Sequence, residues 1–551
     1  MAEIKGAEVM AQAIKAQGIK EVFGVVGVPI GEIALRAQMA GIRYIGTRHE
    51  QTAGFAAQAV GYLRGHVAVA LTVSGPGMTN AITAMGNAQA NAWPLIVIGG
   101  SSDQPLNHRG AFQEAAQVDF ARPFCKWVGQ ARRVEDIPRL FALAVKHAWY
   151  GRPGAVYLDM PADVIDGHVE ESLVIPEPPV PPPPRGGARQ EQVEQAMDLL
   201  RNAEQPLVIV GKGTAWADAA PEMQRLVDGA QLPFLATPMG KGVLPDNHPQ
   251  STAAARSHVL KNADVILLAG ARMNWMLHFG DDTRYKKDVK IIQVDISPEE
   301  LGTNLPAEVG IVGDLKVVLG QMVARLEEDP WQHAKDSPWQ KAIAEKINSR
   351  REQTAPALTS DENPMNYYRP LAEINKALPE DALLVVEGSN TMDIARTVLD
   401  SLRPRSRLDA GSWGTMGVGC GFAIAAALVH PDRPVVAVMG DGAFGFSGMD
   451  VEVACRYKLP IVWVIINNNG IVLGEPDLPE EAPPAVWQFV PNARYDKMME
   501  AFGGVGYHCE TPEELAKALP EALASKKPTV IHVPIHPRAS RAAQSHEWLS
   551  R

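Results

Sequence analysis

Continuous runs of apolar residues, each about the length of one β-strand, recur along the whole chain and alternate with helical patterns. Examples are VAVALTVSG at 67–75, QPLVIVGKG at 205–213 and LPIVWVIINNNG at 459–470. Strands of this kind have no polar face, so both faces must be covered, as in parallel sheets flanked by helices. The pattern predicts an α/β protein built from doubly wound parallel sheets.

Two stretches of the sequence interrupt this alternation. PEPPVPPPPRGG at 176–187 is proline-rich, which predicts an extended, semi-rigid linker. The polar stretch at 349–366 is a weaker break. We therefore predict three domains, at 1–170, 188–350 and 365–551, each with its own parallel sheet.

Charge and hydropathy exclude some classes of partner. The 551 residues carry a net charge of −11, and no basic stripe is visible, which argues against nucleic-acid binding. No apolar run reaches the ~18 residues that a membrane span needs, and the first twenty residues predict an amphipathic helix instead of a signal peptide. We expect no nucleic-acid or membrane partner and a cytoplasmic protein.

Two polar motifs follow neighbouring apolar runs in the last third of the chain. Gly440-Asp441-Gly442 ends one run, and Asn467-Asn468-Asn469-Gly470 ends the next, about one helix and one strand later. The Asp441 carboxylate, the Asn468 amide oxygen and the Gly470 carbonyl are hard oxygen ligands that suit Mg²⁺, which completes its shell with phosphate and water. Two ordinary turns are the alternative, but the shared strand context favours a metal site.

These motifs resemble the metal and diphosphate motif of thiamine-diphosphate enzymes. The resemblance implies three doubly wound α/β domains, thiamine diphosphate and Mg²⁺ as cofactors, and Asp441, Asn468 and Gly470 as metal ligands. It also requires a glutamate in the first domain, which RHEQ at 48–51 supplies after the run IRYIG. Glu50 would hydrogen-bond the aminopyrimidine ring of the cofactor and favour its imino tautomer.

Further cofactor contacts follow from the same resemblance. In SWGTMG at 412–417, Gly414 and Met416 match positions that bind the aminopyrimidine and hold the cofactor in a bent shape. EGSN at 387–390 matches a loop that faces the cofactor. The predicted cofactor-binding set is Asn390, Met392, Gly414, Met416, Gly442, Ala443 and Val472.

Among the thiamine-diphosphate enzymes, nearly the whole chain resembles the 2-hydroxyacyl-CoA lyase family. It also resembles the oxalyl-CoA decarboxylases, but to a smaller degree. At Phe112-Gln113 the chain follows the lyases, where the decarboxylases have Tyr-Glu. The resemblance implies reversible cleavage of a 2-hydroxyacyl-CoA to formyl-CoA and an aldehyde or ketone. Oxalyl-CoA decarboxylation, an acetolactate synthase-like reaction and a non-catalytic nucleotide-binding protein are the alternatives.

The resemblance implies three catalytic residues, Glu50, His49 and Gln113. His49 and Gln113 are near enough to contact the hydroxyl of the substrate, which a glutamine can only orient. Relatives place a tyrosine where this chain has Val472. A smaller wall there predicts a short, branched substrate such as 2-hydroxyisobutyryl-CoA. Active sites in this superfamily lie between subunits, which implies a homodimer at least and a homotetramer as the expected assembly.

The resemblance also implies two nucleotide sites. The middle domain would bind ADP, with FAD as the alternative, because acetolactate synthases place FAD there. The ADP-binding residues predicted are Arg152, Lys212, Arg272, Asp295 and Ile296. The CoA of the substrate would contact Arg396, Arg538 and Arg541, with the tail that carries the last two acting as a lid.

Overall fold

The computed structural model describes residues 2–472, 474 and 483–539. They form two compact units. The first contains Met1–Pro184, Ala410–Asp432 and Gly445–Leu459, and the second contains Arg185–Asp409, Arg433–Phe444 and Pro460–Arg551. The boundary at 184/185 falls inside the proline-rich segment, which has no helix or strand, as expected of a linker.

The first unit is built around a parallel sheet of order β3-β2-β4-β5-β7-β6, and a short antiparallel pair, β1 with β8, lies outside it. Its strands are β1 Glu3–Lys5, β2 Glu21–Gly24, β3 Arg43–Gly46, β4 Ala68–Thr72, β5 Leu95–Ser101, β6 Trp127–Gln130, β7 Ala155–Pro161 and β8 His168–Glu170. The helices of this stretch are α1 Gly6–Ala16, α2 Gly31–Met39, α3 Glu50–Arg64, α4 Pro76–Asn91, α5 Gln117–Ala121, α6 Ile137–Trp149 and α7 Ala162–Asp166.

The second unit contains two parallel sheets, and the first of them has the order β10-β9-β11-β12-β13. Its strands are β9 Pro206–Val210, β10 Phe234–Ala236, β11 Val265–Ala269, β12 Lys290–Asp295 and β13 Ala307–Val312. The helices of this stretch are α8 Gln190–Asn202, α9 Lys212–Trp216, α10 Ala220–Ala230, α11 Arg256–Asn262, α12 Leu315–Glu328 and α13 Pro338–Leu358.

Alternate residues of β9 enter different hydrophobic cores on the two faces of this sheet. Val208 and Val210 lie in one core, whereas Leu207 and Ile209 lie in the other. Side chains of a strand point to opposite faces in turn, so a strand covered on both sides must be apolar at every position. This burial explains why the strands read as continuous apolar runs.

The second sheet of this unit has the order β15-β14-β16-β17-β19-β18, again parallel. Its strands are β14 Leu383–Glu387, β15 Arg407–Asp409, β16 Val435–Gly440, β17 Ile461–Asn467, β18 Val505–His508 and β19 Thr529–Pro534. The helices of this stretch are α14 Tyr368–Ala377, α15 Ser389–Val398, α16 Val418–Val429, α17 Asp441–Ser447, α18 Val451–Tyr457, α19 Tyr495–Ala501 and α20 Pro512–Ser525.

In each sheet of the second unit the chain order reverses between two interior strands, β9 and β11 in one sheet and β14 and β16 in the other. In doubly wound sheets, ligands bind beyond the carboxyl ends of the strands at such a switch point. The Gly-Asp-Gly motif follows β16 directly, and Lys212 follows β9 after one glycine. Both predicted ligand sites of this unit therefore begin at a switch point.

Two local expectations differ from the structure. The predicted break at 349–366 is helical over its first part, because α13 continues to Leu358. The first residues, Glu3–Lys5, form a strand instead of extending the amphipathic helix that follows them. None of the helices in the described part of the chain combines the length and apolar character that crossing a bilayer requires.

Candidate active site

The predicted metal ligands lie at the carboxyl ends of two neighbouring strands. β16 and β17 pair in parallel with Gly440 opposite Ile466, so Asp441 and Asn468, each directly after its strand, follow the same edge of the sheet. The backbone N–H of Gly470 donates to Asp441 Oδ2 at 2.9 Å. The structure therefore brings the three residues together as the sequence predicts.

Asp441 is an unusual carboxyl group because it is almost completely buried, with 2 % exposure. Burial raises its pKa to about 7, although backbone N–H groups of Gly442, Gly470 and Asn469 favour the charged form. A cation beside the carboxylate would reverse this effect, because a bound ion is the largest local charge in such a site. A buried carboxylate that already accepts backbone hydrogen bonds fits a Mg²⁺ ligand.

Hydrogen bonds also set the orientation of the Asn468 amide. Its Nδ2 donates to the carbonyl oxygen of Val472 at 3.3 Å, and Asn390 Nδ2 donates to the same oxygen at 3.1 Å. Since only the NH₂ end of an amide can donate, Asn468 Oδ1 is kept as an acceptor, as a metal ligand requires. Val472 has a φ of 69°, a strained conformation for a β-branched residue, and these two hydrogen bonds hold it.

The predicted loop at 387–390 approaches the Gly-Asp-Gly motif closely. Gly388 has a φ of 110°, and a Cβ there would lie 3.2 Å from the backbone N of Gly440, so only glycine fits without movement. Asn390 lies two residues further on, at the start of α15. Met392 packs its side chain against the core of the sheet, and Ala443 is buried on α17.

Two tyrosines near Asp441 were not predicted from the sequence. Burial raises the pKa of Tyr367 to about 12, and the nearby Asp441 carboxylate adds to the shift. Burial and Asp441 act in the same way on Tyr495, whose pKa is also raised to about 12. Both phenols stay protonated at neutral pH and can donate a hydrogen bond. Neither lies in a motif, so the sequence carried no signal for them.

In the first unit, Glu50 is the first residue of α3 and is buried, with 8 % exposure. Asn80 Nδ2 donates to Glu50 Oε2 at 3.0 Å. Gly77 lies beside the other oxygen, because a Cβ there would be 3.2 Å from Glu50 Oε1. A carboxylate fixed through one oxygen, with a glycine beside the second, can accept a further hydrogen bond. Sequence reasoning missed Asn80, which lies on α4 far from the motif.

His49 caps α3, and this role restricts its chemistry. The backbone N–H of Gln51 donates to His49 Nδ1 at 3.1 Å. A neutral imidazole that accepts at Nδ1 carries its proton on Nε2. In this arrangement Nε2–H is the end of the ring that can donate a hydrogen bond to a substrate oxygen. The catalytic role of His49 stays a prediction.

Gln113 lies in a loop held by a buried polar network. It has a φ of 55°, and its carbonyl comes so near Gly75 that a Cβ there would lie 2.6 Å from it. The Gln117 side chain accepts from the backbone N–H of Gly75 and donates to Asp159 Oδ1 at 2.9 Å. Gln117, a residue not predicted, therefore anchors the chain four residues after Gln113 to Gly75 and Asp159.

The segment that contains Gly414 and Met416 also belongs to the first unit. Gly414 has a φ of 65° and open space at its missing Cβ, and Met416 is half-buried. The Thr415 hydroxyl donates to Asn87 Oδ1 at 2.9 Å, which ties the segment to α4. Such a fixed loop can present Met416 to a ligand.

Comparison with protein-family models identifies three consecutive domains. Residues 4–120 match the thiamine pyrophosphate enzyme N-terminal binding domain, 193–322 the central domain and 387–533 the C-terminal binding domain. These ranges include Glu50 in the first match and the metal motif in the third. The matches support thiamine diphosphate as the cofactor.

Similar proteins are known along the full chain. Human 2-hydroxyacyl-CoA lyase 1 is 47 % identical over 100 % of this chain and 97 % of its own length. The rice 2-hydroxyacyl-CoA lyase is 45 % identical, over 98 % and 96 %, and the Escherichia coli oxalyl-CoA decarboxylase 41 %, over 97 % and 95 %. The chain belongs to the 2-hydroxyacyl-CoA lyase family of thiamine pyrophosphate enzymes. This finding confirms the predicted family, fold class and enzyme class.

Most of the predicted ADP-binding residues lie at one edge of a sheet. Lys212 begins α9 after β9, Arg272 follows β11 and Asp295 ends β12, three neighbouring parallel strands. Ile296 comes next and is partly exposed. Arg152 belongs to the first unit, where it donates to a backbone carbonyl of α4 at 3.3 Å. ADP binding stays a prediction.

Two of the arginines predicted to bind CoA, Arg396 and Arg538, lie in the described part of the chain and have different surroundings. The Arg396 guanidinium donates to Asp409 Oδ2 at 3.2 Å and Asp393 Oδ1 at 3.1 Å, so CoA would have to share it with two carboxylates. Arg538 is exposed. Arg541 and the rest of the predicted lid, 540–551, lie outside the described residues. CoA binding by these residues also stays a prediction.

Proposed function

We propose that the protein is a Mg²⁺-dependent 2-hydroxyacyl-CoA lyase that acts on short thioesters, including branched ones. The bond between C1 and C2 of the substrate breaks, the C2 hydroxyl loses its proton, and C1 gains one. The products are formyl-CoA and an aldehyde or ketone, and the reaction is reversible. Oxalyl-CoA decarboxylation is the second candidate, because a relative with that name is 41 % identical to the chain.

The observation that carries this proposal is the set of oxygens at the carboxyl edge of β16 and β17. Asp441 is buried and bonded to the Gly470 N–H, while Asn468 keeps its Oδ1 as an acceptor. Such a set fits Mg²⁺ with a diphosphate. It lies beside the switch point between β14 and β16, where this class of sheet binds ligands.

The residues of the chain would divide the chemistry as follows. Bound thiamine diphosphate supplies a carbanion nucleophile and an electron sink. The Glu50 carboxylate would accept a hydrogen bond from the aminopyrimidine ring, with Asn80 fixing its orientation. His49 would donate to a substrate oxygen through Nε2–H. Gln113 would orient the hydroxyl of the substrate, because an amide exchanges no proton at neutral pH.

The proposed preference for branched substrates rests on Val472. Its backbone is fixed by Asn390 and Asn468, and its side chain is 49 % exposed. A larger side chain at this position would project from the same fixed backbone and narrow the space beside it. A change of methylene size in a pocket wall alters discrimination by roughly 1–3 kcal/mol.

The test compares kcat/KM for oxalyl-CoA, a straight-chain 2-hydroxyacyl-CoA and 2-hydroxyisobutyryl-CoA, with identification of the products. We expect formyl-CoA from both hydroxyacyl substrates, acetone from the branched one and poor use of oxalyl-CoA. Val472→Tyr should lower the relative rate of the branched substrate about tenfold or more. Val472→Thr, of nearly equal shape, is the matched control and should keep the ratio.

The results of this comparison distinguish the lyase proposal from the decarboxylase alternative, and they test the pocket argument separately. If oxalyl-CoA is the best substrate, the protein is a decarboxylase and the lyase proposal is wrong. If the branched thioester is inert, or Val472→Tyr leaves the ratio unchanged, the pocket argument fails and the lyase reaction alone stands. The proposed oligomer, a dimer at least and a tetramer as expected, is tested separately by sedimentation of the holoenzyme.

A further inference from the structure

A line of side-chain hydrogen bonds in the second unit connects β18 to the loop that carries the metal ligands. His508 Nδ1 and His532 Nδ1 are 3.2 Å apart, and His532 Nε2 lies 3.0 Å from Asn467 Nδ2. Asn467 Oδ1 in turn accepts from the backbone N–H of Asn469 at 2.9 Å. At the other end, His508 Nε2 lies 3.2 Å from Glu510 Oε1. His532 is in the middle of this line and is completely buried.

The direction of each hydrogen bond follows from its neighbours. Because Asn467 uses its oxygen for the backbone N–H, its NH₂ group faces His532 and donates to Nε2. The proton of a neutral His532 must then be on Nδ1. His508 Nδ1, at 3.2 Å, is nearer to it than Asp496 Oδ1, at 3.6 Å, and accepts the hydrogen bond. His508 consequently carries its own proton on Nε2 and donates to Glu510. One consistent set of tautomers satisfies every member of the line.

Asp496 lies beside this line but is already paired. Ligand atoms of Asp496, His508 and His532 are within 4.8 Å of one another, a spacing that could hold a metal ion. Both oxygens of Asp496, however, accept from Arg494, at 2.8 and 2.6 Å. A cation would have to displace a bidentate guanidinium, so we interpret the group as a hydrogen-bond network.

The line ends on the turn that holds two metal ligands. The bond from Asn469 N–H to Asn467 Oδ1 closes a turn around Asn468, and Asn469 takes a φ of 65° within it. Asn468 and Gly470 flank Asn469 directly. Rotation of the Asn467 side chain would remove this hydrogen bond from the turn that carries both ligands.

We propose that His532 is a positioning residue of the metal site, acting through Asn467 on the turn that carries Asn468 and Gly470. This inference rests on the proposed function, because it assumes that the turn holds Mg²⁺. Residues behind the ligands of a metal site commonly set ligand orientation in this way. Burial lowers the pKa of His532 to about 4, which keeps its ring neutral and its Nε2 an acceptor at neutral pH.

The test measures apparent Mg²⁺ affinity at saturating thiamine diphosphate, by calorimetry and without turnover. His532→Ala removes the acceptor for Asn467 and should weaken Mg²⁺ binding about 10- to 100-fold. His532→Gln offers a carbonyl oxygen to the same NH₂ group and should restore part of the affinity. Should His532→Ala fail to fold, Asn467→Ala removes the same bond from the other side and carries the same expectation.

Ile531→Ala is the matched control, since Ile531 is a buried neighbour on the same strand and packs into the hydrophobic core. It should lower the melting temperature without changing Mg²⁺ affinity. The inference is overturned if folded His532→Ala binds Mg²⁺ within twofold of the wild type, or if Ile531→Ala weakens binding equally. If the wild-type protein itself binds no Mg²⁺ with thiamine diphosphate, the proposed function fails instead.

Discussion

At the scale of single residues, two buried carboxylates have different partners and therefore different chemistry. Glu50 accepts a hydrogen bond from the Asn80 side chain, which fixes its direction while leaving it able to accept another. Asp441 accepts from the backbone N–H of Gly470, and burial raises its pKa. The arrangement of Glu50 suits an acceptor of a hydrogen bond from the cofactor ring. The arrangement of Asp441 suits a ligand of a cation.

Replacing Glu50 by glutamine tests the first assignment. Glu50→Gln keeps the acceptor for Asn80 but removes the charge, so the variant should bind thiamine diphosphate normally and lose at least ~10²-fold in kcat, as for loss of an acid–base partner. Calorimetry and steady-state rates measure the two effects. Glu3→Gln, at an exposed position of β1, is the control. Near-normal turnover of Glu50→Gln would falsify the role of this residue.

Replacing Asp441 by alanine tests the second assignment. Without the carboxylate, the diphosphate has little charge compensation from the ion, so Mg²⁺-dependent binding of thiamine diphosphate should be abolished. Titration calorimetry with both ligands measures this. Asp432→Ala, an exposed position, should bind normally. Unchanged affinity of Asp441→Ala would mean that the metal is held elsewhere.

The sequence allowed some of these residues to be predicted and hid others. Asp441 and Asn468 come directly after apolar strands, so their place at one sheet edge follows from the fold. Asn80 and Gln117 lie on helices, and Tyr367 directly precedes one, all in ordinary sequence contexts. They approach the predicted site residues only through the tertiary fold. A polar residue that acts through a neighbour leaves no local pattern in the chain.

At the scale of elements, the strands that the apolar pattern did not reveal are all at sheet edges. They are β1 and β8, which pair only with each other, and β6, β10, β13, β15 and β18, each terminal in its sheet order. β6 and β18, for example, are only half-buried along their whole length. An edge strand has one neighbour and more contact with water, so it needs no continuous apolar run. Interior strands such as β4, β9 and β17 were predicted because they are covered on both faces.

The loop that carries Gln113 provides a prediction at this scale. Gly75 has a φ of 56°, and a Cβ there would lie 2.6 Å from the Gln113 carbonyl oxygen. Gly75→Ala should therefore cost roughly 1–3 kcal/mol in the free energy of unfolding and lower kcat/KM by displacing the loop. Chemical denaturation and steady-state kinetics measure both.

Gly110→Ala is the matched control for this loop. Gly110 also has a positive φ, 74°, but meets no atom within 4 Å of its missing Cβ. The control therefore tests backbone strain without the clash, and it should cost less stability and leave kcat/KM closer to the wild type. If both variants lose the same activity, the contact between Gly75 and Gln113 has no special role.

At the scale of the whole molecule, the apolar runs predict the three parallel sheets. They do not predict to which compact unit some of the helices belong. α16 and α18 lie between strands of the last sheet in the chain, yet both belong to the first compact unit. α16 is buried along nearly its whole length and lies against α3. A helix that is apolar on every side has no periodicity from which its packing partner could be inferred.

The middle sheet gives the last prediction, because its switch point between β9 and β11 has the features of a nucleotide site. Gly211 and Gly270 come so close that a Cβ on Gly211 would be 2.1 Å from the Gly270 oxygen, and Lys212 and Asp295 lie at the same carboxyl edge. We predict a colourless protein that binds ADP. At 100 times its Kd, ADP should add about 2.7 kcal/mol to the free energy of unfolding.

The measurement is the melting temperature with and without ADP, together with the absorbance spectrum of the purified protein. Lys212→Ala removes a positive charge beside the expected phosphates and should reduce the ADP-induced rise. Lys335→Ala, at an exposed lysine between α12 and α13, should leave the ADP-induced rise unchanged. A yellow protein with flavin absorbance would favour FAD, and an absent rise would mean that this switch point binds no ADP. Because neither variant touches the metal site, these outcomes leave the lyase proposal to its own test.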